Sequence, residues 1–160
     1  MVTAHIMSEA LKFNKVCAFI LALILAAPVM GATSQQPLMG TWHFTEIIYR
    51  GVRQPRPNPA LHLFWKFDEN ARETLHWDHS DGAGFCERTA RFEVVDGTLL
   101  EEVLAVNYEN DPSCSSDPDM QVGRVSANPI QIYSHEIQLS LSLGDEQIIY
   151  VLVPEELFQD

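Results

Sequence analysis

The run His76-Trp77-Asp78-His79 holds three side chains able to bind a metal or carry a proton. A zinc site needs three or four ligands converging on one point. In a strand, successive side chains alternate, so His76 and Asp78 share one face and His79 takes the other. Only a bulge or a loop at residues 79–81 could join them. Two surface histidines flanking an inward Trp77 are therefore expected, with no metal bound. Glu109, Asn110, Asp111, Asp117 and Asp119 offer oxygen donors suited to calcium. They lack the ordered spacing and central glycine of a calcium loop, as residues 117–122 show. A solvated acidic loop, ordered by Cys114, is the expectation.

Arg50, Arg53 and Arg56 gather three of the few basic residues into one stretch. They either greet an anionic ligand or balance charge on an acidic protein. Glu46 shares the strand phase of Trp42, Phe44 and Ile48, which places it inward. A buried carboxylate must be paired or lie in a cavity, so Glu46 is the leading single pocket residue. Arg88, inward by phase on its own strand, is its candidate partner, and a purely structural pair is the alternative. Arg91 and Glu102 fall opposite one another across a hairpin, a cross-strand pair of small energetic value on a surface. There is no Gly-x-Ser-x-Gly elbow, His-Glu-x-x-His pair or phosphate-binding glycine loop. His135-Glu136 has no second histidine at helical spacing. No enzyme and no cofactor are expected.

The chain that must position these groups has 160 residues and a net charge of −12. Lys12 and Lys15 precede an apolar run over residues 16–27, followed by Pro28, Gly31 and Ala32. A basic flank, a short apolar stretch and small residues describe a secretory signal peptide over residues 1–32. An uncleaved anchor is the alternative, although residues 16–32 fall short of the roughly 20 needed to span hydrocarbon. Only Lys12, Lys15 and Glu9 leave with that segment, so the remainder, residues 33–160, is more acidic still. Such a balance opposes nucleic acid and anionic membranes as partners, because both need a positive footprint. An exported protein, periplasmic or secreted, is expected. Removing Cys17 leaves Cys86 and Cys114, and in an oxidising compartment a disulfide is the economical outcome. Closing a loop of that length stabilises by roughly 3–4 kcal/mol. Metal binding by the two thiolates is the alternative.

After residue 33 no segment of useful length has helical periodicity. Short alternating runs bounded by turn residues recur instead, the pattern of sheet. Residues 41–49 place Trp42, Phe44 and Ile48 on one face. Residues 61–68 place Leu61, Leu63, Trp65 and Phe67 inward against His62, Lys66 and Asp68 outward. Residues 72–79 turn Leu75 and Trp77 inward, and residues 87–95 do the same with Ala90, Phe92 and Val94. Asp96-Gly97 is a two-residue hairpin signal, since both central positions need positive φ. Residues 99–108 follow, then short strands at 122–126 and 130–133. Residues 136–143 show the cleanest alternation, and 147–153 end at Pro154. Residues 51–60, with Pro55, Pro57 and Pro59, read as one stiff extended connection. Seven to nine short strands argue for an antiparallel barrel or a sandwich.

Leu38-Met39-Gly40-Thr41-Trp42 resembles the Gly-x-Trp opening of lipocalin-like proteins, in particular the compact bacterial ones of the calycin type. The long first connection, the short hairpins and the final strand pair resemble that family too. The resemblance implies an all-β, eight-stranded, up-and-down antiparallel barrel whose Trp42 plugs the closed end. One departure is visible: residues 147–160 contain no Arg or Lys to pack on that tryptophan. A non-enzymatic binding protein for a small apolar or amphipathic ligand is expected, lined by Trp42, Phe44, Glu46, Leu63, Trp65, Phe67, Trp77 and Phe92. A packed barrel that binds another protein of the cell envelope is the alternative.

Overall fold

The computed structural model describes residues 38–159 apart from 81 and 83. The expected signal segment, residues 1–32, lies outside the described residues. Nine strands follow one another: β1 (Gly40–Tyr49), β2 (Val52–Pro55), β3 (Leu61–Phe67), β4 (Arg72–His79), β5 (Phe85–Val95), β6 (Thr98–Val106), β7 (Val125–Ile132), β8 (Ile137–Leu143) and β9 (Glu146–Pro154). All pairings are antiparallel. β1, β3 and each later strand pair in order, and β9 returns to β1 from Ile148 to Pro154. The result is a closed eight-stranded barrel, with β2 as an outlying ninth strand on the far half of β1. Closure removes the free sheet edges that would otherwise template aggregation.

Local chemistry sets the turns. Asp96 (φ 49°) and Gly97 (φ 74°) form the expected two-residue hairpin. Arg50 (φ 51°) and Gly51 (φ 77°) make a second turn of the same kind. It folds residues 52–55 back on β1, so the proline-rich stretch is not one extended connection but begins with a strand. At the β3–β4 turn Asp68 Oδ1 accepts from the backbone N–H of Asn70 and Arg72, the local bonding that suits aspartate to turns. The expected strands at 122–126 and 130–133 are one strand, β7, running through Pro129.

Two tiers fill the barrel. The closed end is packed by Leu38, Trp42, Phe67, Phe92, Leu99 and Ile137, all buried. Trp42 Nε1 donates to the Leu38 carbonyl at 2.9 Å, which satisfies its only polar atom. Phe67 and Phe92 meet edge to face with centroids 4.9 Å apart. The connections β1–β2, β4–β5, β6–β7 and β8–β9 all lie at the other end, which forms the mouth.

Candidate functional site

Inward residues change character towards the mouth. Leu61, Leu63, Trp77, Leu141 and Tyr150 point into the barrel yet are only partly buried, whereas most inward residues of the closed end are buried. Phe44, Ile47 and Ile148 form a buried cluster that packs beside them. This half of the barrel is an apolar cup with part of its wall within reach of solvent.

The long β6–β7 connection rims the cup, and the disulfide places it. Cys86 and Cys114 are bonded, with Cα atoms 5.7 Å apart. Met120 is buried with both cysteines and against Trp77. Two 3-10 turns shape the connection, Pro112–Ser116 and Pro118–Met120, capped by the side chains of Asp111 and Asp117. Those carboxylates serve backbone N–H groups. Hydrogen bonds from the Ser113 side chain and backbone hold the Asp111 carboxyl below its usual range. Asp119 pairs with Arg124 at 3.3 Å.

Below the rim sits the group that apolar periodicity overlooks. Glu73, Arg88 and Glu101 point inward from β4, β5 and β6, with 1, 4 and 5 % of their surface exposed. One terminal nitrogen of Arg88 donates to Glu73 Oε1, and the other donates to Glu101 Oε1 at 3.0 Å. Ser126 Oγ on β7 donates to Glu101 Oε2 at 3.1 Å. Burial opposes the charge on Arg88, but the two carboxylates outweigh it and raise its pKa. Glu73 goes the other way from an ordinary ion-paired acid. Removal from water, then repulsion from Glu101, pushes its pKa well above the usual carboxylate range, and Arg88 offsets this only in part. Three buried polar atoms around the cluster have no hydrogen-bond partner: Glu73 Oε2, Arg88 Nε and Trp65 Nε1. Each such unmade bond costs about 1–3 kcal/mol.

The expected site residues divide. Leu63 and Trp77 line the cup and Phe44 lies at its base, while Trp65 is buried in the closed-end core, diagonal to Glu73 across the β3–β4 pairing. Trp42, Phe67 and Phe92 belong to the packed plug. Glu46 is a correction. A bulge between Phe44 and Glu46 shifts the register against β9, so Ile47 turns inward and Glu46 and Ile48 turn out. Glu46 instead accepts from Arg53 at 2.8 Å on the outer wall, and Arg53 also binds Glu136. Arg88 accordingly pairs with Glu73 and Glu101, not with Glu46.

The remaining charged candidates are accounted for on the outside. Arg50 pairs with Glu146, and Arg56 reaches the Phe44 carbonyl at 3.5 Å. Arg91 pairs with Glu102 as the hairpin register requires. His76 and Asp78 share the outer face, 3.3 Å apart, and His76 also meets Glu87 at 3.0 Å. Its ring stacks on Phe64 and Phe85. His79 is apart from them, beside Asn58. Among the described residues no group of three or more His, Cys, Asp or Glu could hold a metal ion.

Two recesses lie away from the lumen. One, of about 330 Å³, is lined by Tyr49, Arg50 and Glu146 at the rim turns, and the other, of about 280 Å³, by Met39, Trp42 and Tyr133 at the closed end. Neither touches the ionic cluster or an unpaired buried group.

No protein-family model matches the chain, and no curated protein matches it. Among solved structures it is similar to a lipocalin-like protein from Bacteroides uniformis, with 13 % identity over 72 % of this chain and 96 % of that one and a TM-score of 0.49. It is also similar to an uncharacterized protein from Bacteroides eggerthii, with 10 % identity over 72 % and 98 % and a TM-score of 0.44. Strand order and closure carry the fold assignment by themselves. The chain has the lipocalin-like architecture that its Gly40-Thr41-Trp42 opening implies: an eight-stranded antiparallel barrel plugged at one end by that tryptophan.

Proposed function

We propose that this barrel is an exported, non-enzymatic binding protein that holds a small amphipathic molecule in its mouth half. The observation that carries the reading is the contrast between the two tiers. Apolar side chains at Leu61, Leu63, Trp77, Leu141 and Tyr150 stay partly exposed although they point inward, which is surface a ligand tail would cover. The disulfide fits an oxidising compartment, and among the described residues no helix is long and apolar enough to cross a membrane. The test uses the full-length processed protein and the neutral fluorescent probe N-phenylnaphthylamine. Saturable one-to-one uptake, weakened at least tenfold by Leu63→Arg, is the expected result. Unsaturable uptake, or uptake indifferent to that substitution, defeats the reading.

A second reading rests on a different surface. Tyr108, Val122 and Val125 on the β6–β7 side of the rim are strongly exposed. Specific capture of an envelope protein that is lost in a Tyr108→Ser/Val125→Ser variant would favour it over the ligand cup.

A further inference from the structure

The three partnerless atoms around the ionic cluster come from adjoining inward positions. Leu75 on β4 pairs with Trp65 on one side and with Arg88 on the other. Glu73, two residues along the same face, pairs with Phe67 and Ala90. Inward residues diagonal to one another across paired strands are within reach of long side chains. Trp65, Glu73 and Arg88 therefore surround one patch of the inner wall, and Ala90 contributes only a methyl group there. The patch adjoins the cup, because Trp77 pairs with Cys86, two residues from Arg88 on the same face of β5.

We propose that this patch is a head-group subsite selective for an uncharged group that both accepts and donates hydrogen bonds, a hydroxyl or a primary amide on an apolar tail. The proposal rests on the cup reading above and names the class of ligand. Each open valence has a use: the head oxygen accepts from Trp65 Nε1–H and Arg88 Nε–H, and its own proton goes to Glu73 Oε2. An anionic head is disfavoured because both terminal nitrogens of Arg88 are already taken by carboxylates. A carboxylate would then stand beside Glu73 and Glu101 with only the remaining N–H groups to hold it. A cationic head offers no acceptor to the two open N–H donors and meets the buried guanidinium.

The test displaces N-phenylnaphthylamine from the processed protein at pH 7 with decan-1-ol, decanoate and decylammonium, which share one tail length. Decanol is expected to displace the probe at least tenfold more tightly than either charged ligand. Trp65→Phe, which removes one N–H from a similar ring, is expected to weaken decanol five- to tenfold and the probe less than twofold. That second comparison separates hydrogen bonding from the greater hydrophobicity of the alcohol. Decanoate or decylammonium binding as tightly as decanol overturns the subsite. So does decanol binding that Trp65→Phe leaves unchanged, and in either case the cup stands if the probe still binds saturably. Failure of the probe itself overturns the cup and the subsite together.

Discussion

Replacing Arg88 by methionine removes the only buried cation among the described residues and keeps most of the side-chain volume. Glu73 then loses its one hydrogen-bonded partner, and Glu101 is left with the Ser126 hydroxyl alone. Breaking a buried ion pair from one side costs about 3–5 kcal/mol, because the stranded charge has no water to turn to. With a urea slope of about 2 kcal/mol/M for a domain of this size, the unfolding midpoint falls by roughly 1.5–2.5 M. The sign of the pH dependence follows from Glu73. Its folded-state pKa already lies above the usual carboxylate range, and losing Arg88 raises it further. A raised folded pKa means stability that is complete below the unfolded value and lost as pH climbs through the folded one. The deficit of Arg88→Met relative to the parent protein should therefore be largest at pH 7.5 and shrink at pH 4.5, as protons neutralise the stranded acids. Taking the difference at each pH cancels the groups outside the cluster. The triple replacement Glu73→Leu/Arg88→Met/Glu101→Leu, which leaves no charge behind, should recover at least half of the loss. Urea unfolding followed by tryptophan fluorescence at the two pH values decides it. A deficit under about 1 kcal/mol at pH 7.5, or one that does not change with pH, would refute the account of the cluster.

Replacing both Cys86 and Cys114 by alanine opens a loop of 28 residues, which in the chain-entropy model destabilises by about 3.5 kcal/mol. Calorimetry should show the melting temperature falling by roughly 10–14 °C, and a fall of less than about 3 °C would mean that the rim connection is held by other contacts. Gly97→Val forces a branched side chain to a φ of 74° and should cost about 1–2 kcal/mol in urea unfolding, whereas no loss would show that the hairpin relaxes to another turn. Glu46→Gln should change stability by no more than about 1 kcal/mol, since its partner Arg53 is exposed. It should also leave N-phenylnaphthylamine affinity unaltered. A shift in that affinity would place Glu46 back inside the barrel.

The barrel was largely legible because its signals are local. Alternation on β3, β4 and β8 and the Asp96-Gly97 turn each depend on a few neighbouring residues, and the pairings follow them. What misled was a change of phase within one strand. The bulge after Phe44 inserts a residue against β9, and nothing in Phe44-Thr45-Glu46-Ile47 distinguishes an extra residue from an ordinary one. A single slip of this kind sends every later side chain to the opposite face, which is why Glu46 and Ile48 were both misplaced. The two short strands expected at 122–126 and 130–133 join through Pro129 for a different reason. Ile130 N–H donates to the Gly97 carbonyl in the β5–β6 turn, so the nitrogen of Pro129 faces β8. Pairing with β8 begins only at Ile130, and the missing donor is therefore never needed, as for proline on an edge.

The ionic cluster was hidden for a third reason. Glu73 has the parity of Leu75 and Trp77, and Glu101 has the parity of Leu99 and Val103, yet a charged residue in an apolar phase is easily passed over as noise. Three such exceptions on consecutive strands, signed minus, plus and minus, are better explained together than apart. A buried charge demands a partner, so an inward arginine implies inward acids on the strands beside it, and the parity of β4 and β6 supplies them. Folding alone does not account for keeping them, because well-packed apolar residues in the same volume are usually as stable or more so. A cluster that adds little stability, leaves polar atoms open and adjoins the partly exposed wall of the cup makes physical sense if a bound head group completes it.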